Sequence, residues 1–417
     1  MPVPARGAAG DRRIVFAASF LRAVANGLIG VVAGIYLAQL GFEPAAWGAV
    51  LGAGIAGSAV GAAGVMFWGD RLGRKRWLVG LGGLAAAGGI AFSLSSQIAL
   101  LGAAAFLGML NSLGKDRAAA LALEQAILPS TGDDAGRTRV FAWYNVIQDV
   151  GHALGAGLAV VSPFLRDFAG LDPLASLRGA VVLYALLYAV TALLYLGLSS
   201  MAESPTAALR VEVSARSRSI LKRMSFLFAL DSFAGGFQGS ALFAYFFHAQ
   251  FGASEAMIGL LFVGARIMNA ISHLGAAWLA ARIGLVNTMV FTHTPSSLLT
   301  FTIPFTGSFE IAAILFLLRE GLSEMDVPTR QSYLMAVVKP EERTFAGGVT
   351  NLARMVARAI APVFAGSAMQ ALTLGAPIMA AAGLKILYDA LLYVSFRKLK
   401  APEERQTPED SGGRTRA

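Results

Sequence analysis

Gly69-Asp70-Arg71-Leu72-Gly73-Arg74-Lys75-Arg76 places one acid, four bases and two glycines between the apolar runs 46-68 and 77-95. A helix needs about 20 apolar residues to cross the hydrocarbon core of a membrane, and each flanking run is of that length. A short basic connection between two such runs belongs on the membrane face where Lys and Arg accumulate.

Reading outward in both directions gives twelve runs, at 14-39, 46-68, 77-95, 98-122, 140-161, 177-199, 224-248, 255-280, 286-306, 309-335, 344-367 and 376-396. The composition agrees: 56% of the 417 residues are hydrophobic and 14% charged, against about 25% charged in soluble domains. The predicted class is an all-α integral membrane protein of 12 transmembrane helices.

With the N-terminus cytoplasmic, the Lys and Arg between spans sort to one side. The outer segments hold only Arg166 and Arg178, so both termini read as cytoplasmic. The net charge of +9 is thus explained by orientation, and a nucleic-acid partner is excluded. Arg22 and Asn26 interrupt the first run, which reads as a retained helix rather than a cleaved signal peptide. The absence of cysteine removes disulfides and thiolate chemistry. His152, His248, His273 and His293 lie on four different spans without ligand spacing, so no metal site is expected. No phosphate-cradling glycine loop is present, so no cofactor is expected either.

The polar, basic stretch 201-223 divides the chain into a six-helix bundle at 1-200 and another at 224-396, with a polar tail at 397-417 read as disordered. The two bundles align with each other. Gln39, Gly41, Gly48, Arg71 and Gly73 fall on Gln250, Gly252, Gly259, Arg282 and Gly284; Gln125, Leu128, Arg137, Thr138 and Asn145 fall on Gln331, Leu334, Arg343, Thr344 and Asn351. Parallel repeats of this kind place a substrate site between the bundles and give alternating access as one rocks against the other.

The opening octapeptide resembles the signature between helices 2 and 3 of the major facilitator superfamily, Asp-Arg-x-Gly-Arg-Arg/Lys, and the 6 + 6 pattern extends that resemblance over the chain. Met66 stands where the family usually has glycine, and the second copy, Ala281-Arg282-Ile283-Gly284-Leu285, lacks the acid. The resemblance implies a gating motif of Asp70, Arg71, Gly73, Arg74 and Lys75, with Asp70 against the cytoplasmic start of span 11. A carboxylate at a helix N-terminus is stabilised by about 0.3–1 kcal/mol. The stretch from Glu324 to Gln331 is similar to uncharacterised bacterial members, which implies a bacterial inner membrane. The resemblance also implies that helices 1, 2, 4, 5, 7, 8, 10 and 11 line the cavity while 3, 6, 9 and 12 are peripheral.

Several ionisable residues fall near the middle of spans: Arg22, Asp149, His152, Asp231, Arg266, Arg319, Glu320, Arg354 and Arg358. Each such charge costs about 2.5–3.5 kcal/mol unless it faces water or a partner. A carboxylate that moves between a cationic and a desolvated setting exchanges protons, and Asp231, Asp149 and Glu320, with His152, are the proton-coupling candidates. Arg22, Asn26, Arg266, Arg319, Arg354 and Arg358 are the substrate or charge-pair candidates. Arg354 and Arg358 share a helix face, where like charges call for an anion or acid between them. Lys385 and Asp389, four residues apart, read as a local pair. The phenylalanines of span 7 read as packing or lipid contacts.

The function these features imply is secondary transport of a small molecule by a monomer in a lipid bilayer, coupled to protons. Span 5 carries Gly151, Gly155 and Gly157 but Ala156 where efflux antiporters of the superfamily have proline, and this partial match points to export of a drug or organic compound. Proton-linked uptake of a small organic anion is the alternative, supported by the arginine excess. A membrane-embedded enzyme or a sensor would need a catalytic constellation or a signalling domain that the sequence lacks.

Overall fold

A computed structural model describes residues 6-114, 119-128, 137-203, 214-337 and 343-397. Lys115, Asp116 and Arg117, the central stretch 204-213 and the tail after 397 lie outside the described residues, as do the side chains of Asp70 and Arg71.

Sixteen described helices follow the twelve predicted spans. Eight of those spans are led by α1 (Arg6–Gln39), α2 (Pro44–Leu72), α3 (Arg74–Leu94), α8 (Pro173–Leu196), α11 (Glu255–Ile283), α12 (Leu285–Thr302), α15 (Arg343–Ala371) and α16 (Ala376–Phe396). The fifth span is α6 (Arg137–Gly157), which a 3-10 turn at Leu158–Val160 carries on into α7 (Val161–Ala169), past the predicted end at 161; the other three are divided, α4 (Ile98–Leu107) with α5 (Ala119–Ile127), α9 (Ala215–Gly236) with α10 (Ser240–Phe251), and α13 (Phe309–Ser323) with α14 (Asp326–Val337). Among the described residues, seven helices are long and apolar enough to cross a membrane unaided. In the divided spans the structure corrects the reading of one continuous run per span. Gly108, Met109 with φ of +52° and Gly114 with φ of +67° unwind the fourth span, and Gly239 marks the gap in the seventh.

The internal repeat is realised in the backbone. Gly41 and Gly252 take φ of +84° and +66° at matching turns, and Gly73 and Gly284 take +93° and +86°, values that favour glycine.

The two bundles meet closely at the end of the molecule bearing the Gly41 and Gly252 turns. A β-carbon on Gly48 of α2 would sit 2.4 Å from the Pro362 carbonyl oxygen of α15, and one on Gly366 would sit 2.1 Å from that of Pro44. Backbones this close exclude any larger residue. Beside them Trp47 meets Tyr245 at 5.0 Å between ring centroids, and Arg166 of α7 pairs with Glu255 of α11 at 2.8 Å. One hydrophobic core spans both bundles here, with Leu28, Ile35, Phe246, Ile258 and Ala365 among its members. Towards the Gly73 and Gly284 turns the core separates into one around Leu78, Tyr144 and Tyr195 and another around Phe228, Tyr333 and Tyr388. The bundles therefore share one core at the first end and keep separate cores at the other. Most of the span 7 phenylalanines enter this packing: Phe243, Phe246 and Phe247 are buried, while Phe226 is exposed.

Candidate functional site

A cavity of about 860 Å³, counting its open mouth, lies at the gap between α9 and α10. Its wall is formed by α9 to α16, with His293 the contribution of α12 and Leu113 reaching in from the unwound part of the fourth span. Asp231, Arg266, Arg319, Glu320, Arg354 and Arg358, all predicted, line it. Phe243, Phe262 and Phe316 supply its apolar side.

The unwound segments join the bundles at the cavity. An interrupted helix exposes carbonyls that need donors where water is scarce. Here the donors come from the opposite bundle: the Ala241 amide to Ser112 O at 3.1 Å, the Ser240 hydroxyl to Leu113 O at 3.0 Å, and Arg266 Nη2 to Gly114 O at 2.9 Å.

On the cavity floor, Asp231 accepts from Arg330 Nη1 at 3.1 Å, and Arg330 also binds Asp326 at 2.7 Å. Lys385 Nζ lies 3.4 Å from Asp231 and 2.9 Å from His293 Nε2, while His293 Nδ1 lies 2.9 Å from Asp389. Arg354 donates from Nε to the Ser232 hydroxyl at 3.0 Å. Arg319 contacts Glu320, donates to Gln238 at 2.8 Å, and rests over Phe243 and Phe316 at 5.5 Å. The sequence reading missed His293, Asp326, Arg330, Lys385 and Asp389 as site residues. Lys385 and Asp389 do not pair locally as predicted; His293, from a helix expected to be peripheral, bridges them. The i,i+4 spacing of Asp326 and Arg330 was the available signal.

Other candidates lie elsewhere. Arg22 makes a two-pronged ion pair with Glu124 at 2.7 and 2.8 Å in the core of the first bundle, and Tyr144 and Tyr195 each donate to Glu124 at 2.6 Å. Asn26 accepts from Tyr188 at 3.1 Å. Asp149 is exposed on α6 and His152 buried, and neither is among the residues lining the cavity. In the octapeptide, the amides of Arg74 and Lys75 donate to the Glu203 carboxylate at 2.7 and 3.1 Å, so Glu203 caps α3. The Arg74 guanidinium reaches Ala126 O at 3.1 Å and Lys75 Nζ reaches Leu198 O at 2.8 Å, each near the end of a helix. These two bases thus hold the first bundle together. The gating contact implied for Asp70 lies outside the described residues.

Two six-helix bundles, with a charged cavity lined almost wholly by the second, have the architecture of a multi-pass membrane transporter. The Major Facilitator Superfamily model matches residues 15-362 and again 224-416, and the chain belongs to that family, whose members are transporters rather than enzymes. An uncharacterized membrane protein of Saccharomyces cerevisiae is 24% identical over 390 residues, covering 85% of this chain and 87% of its own. Among solved structures, the nucleoside transporter NupG is 13% identical with a TM-score of 0.73, covering 93% of this chain and 99% of that one. A bacterial homolog of the human lysosomal transporter Spinster, inward-facing and occupied, is 14% identical with a TM-score of 0.76 over 95% and 98%. The human organic anion transporter MFSD10 is 18% identical with a TM-score of 0.57 over 93% and 100%.

Proposed function

We propose that this chain carries a small organic anion across its membrane by alternating access, with protons moving alongside it through the Asp231 cluster. The observation that carries the reading is the charge of the cavity. Arg266, Arg319, Arg330, Arg354, Arg358 and Lys385 face it against Asp231, Glu320, Glu324 and Asp326. Guanidinium groups on a half-apolar wall suit a carboxylate, sulfonate or phosphonate on a hydrophobic body. The named relatives handle nucleosides and organic anions on one fold, so the fold does not choose among substrates.

Export in exchange for protons is the second reading, from the glycines of α6. Those glycines have a packing role: a β-carbon on Gly155 would sit 2.0 Å from Val24 O of α1. Co-transport suits the cavity better, because a site rich in cations gains from an anion and a proton arriving together. Placement in a bacterial inner membrane with cytoplasmic termini rests on the basic-residue bias and the Glu324–Gln331 resemblance; the yeast relative adds nothing to it.

The test is lumenal pH in proteoliposomes carrying the purified protein, with benzenesulfonate as the anion, because it stays ionised and brings no proton of its own. The lipophilic cation tetraphenylphosphonium is the contrast probe. Protons are expected to move with benzenesulfonate and to stop in Asp231→Asn. Proton flow opposite to the anion would establish exchange, and movement of tetraphenylphosphonium alone would reject the anion reading.

A further inference from the structure

Lys385 and His293 approach to 2.9 Å through Nζ and Nε2, and both are largely buried. An ammonium has only protons to offer, so Nε2 must be the acceptor. The imidazole is then neutral and keeps its one proton on Nδ1, where Asp389 accepts it at 2.9 Å. Thr294 holds the other oxygen of Asp389 at 3.1 Å and fixes that end of the chain.

The same Nε2 stands 3.9 Å from Asp231 Oδ1. A closing movement of about 1 Å converts that approach into a hydrogen bond. A proton on Nε2 makes the contact with Lys385 a repulsion between two cations and the approach to Asp231 an attraction. The two arrangements exclude each other.

We propose that His293 is the proton-carrying switch of this transporter: protonated on Nε2, it bridges Asp389 and Asp231 and frees the Lys385 ammonium into the cavity, where it joins the anion site. The proton comes from cavity water, Lys385 keeps its own protons, and no other bond changes. Lys385 already lines the cavity, so its release needs only a rotation of a flexible side chain.

The neighbouring charges support this. Asp326 is held by Arg330 from α14, and Arg330 also keeps one oxygen of Asp231 occupied, leaving the other for exchange between Lys385 and His293. From α16, Tyr388 meets the imidazole edge-on at 5.9 Å. From α13, Arg319 and Glu320 contact each other, and Arg354 of α15 reaches the residue after Asp231. Three carboxylates, Asp231, Asp326 and Asp389, stand against Arg330, Lys385 and Arg354. One added proton raises the charge of the cluster by one, and a bound anion offsets it. Proton and anion binding then favour each other, as co-transport requires. The inference rests on the organic-anion reading for this last step and on hydrogen-bond chemistry alone for the switch.

The experiment uses the full chain in detergent, labelled with 15N in its four histidines and followed by NMR from about pH 8 to about pH 5. The expected result is an imidazole that begins as the Nδ1–H tautomer and gains a second N–H, with its signal absent in His293→Gln. Benzenesulfonate uptake into proteoliposomes is expected to rise over the same pH interval, and that acid stimulation to be lost in Lys385→Met while the His293 titration persists. A His293 that stays in one tautomer throughout overturns the switch whatever the substrate. Acid stimulation that survives in Lys385→Met overturns the release of Lys385. Titration of His293 with no benzenesulfonate uptake at any pH upholds the switch and rejects the anion reading instead.

Discussion

At Glu124, three side chains from three other helices converge on one carboxylate: Arg22 of α1, Tyr144 of α6 and Tyr195 of α8. Glu124 is fully buried and Arg22 nearly so. Such a pair adds little net stability over an apolar replacement, but removing one member strands the other's charge. Glu124→Gln is therefore expected to cost about 3–5 kcal/mol, read as a lower thermal unfolding midpoint in detergent, and Arg22→Met with Glu124→Leu to recover most of it. The need for a partner was legible at Arg22, whose charge inside an apolar run cannot stand alone. The partner was not, because the predicted span ends at 122, two residues short of Glu124. The same limit hid the His293 network: spacing along one helix shows neighbours three or four residues apart, whereas Asp231, His293, Arg330 and Lys385 come from four helices.

The turns and close packing of the helices were more legible than their continuity. Gly41, Gly73 and their repeat partners were found by alignment, and each takes the backbone conformation that explains a glycine. The interruptions at Gly108–Gly114 and Gly239 were not foreseen, since hydropathy records composition and is blind to unwinding. They matter because the freed carbonyls of one bundle are satisfied by the other. The α2–α15 contact gives the element-scale prediction. Gly48→Val places methyl groups where the Pro362 carbonyl lies, so the bundles can no longer close at that end. Maleimide labelling of Ala45→Cys, in a chain without native cysteine, is expected to be faster in the Gly48→Val background. Equal rates would show that the contact can slide without opening.

Across the whole molecule, the 6 + 6 architecture was readable from hydropathy, charge bias and the repeat, because all three are written along the chain. The state of the two bundles was not, because it depends on contacts between them. Arg166–Glu255 is one such contact, supported by Ser162 and Ser176. Arg166 is 25% exposed, so its removal is worth about 1 kcal/mol rather than the value of a buried pair. Arg166→Ala is expected to raise the population open at that end about fivefold, seen as a longer component in spin-label distances between Leu171→Cys and Ala256→Cys. An unchanged distance distribution would assign closure to the glycine contacts alone.

The Arg22–Glu124 lock has a mechanical meaning. Its carboxylate is gripped on all sides and gives the first bundle no loose charge there, while the exchangeable groups described above sit in the second. On the proposed switch, the transporter is built like an instrument with a fixed frame and a sensing arm.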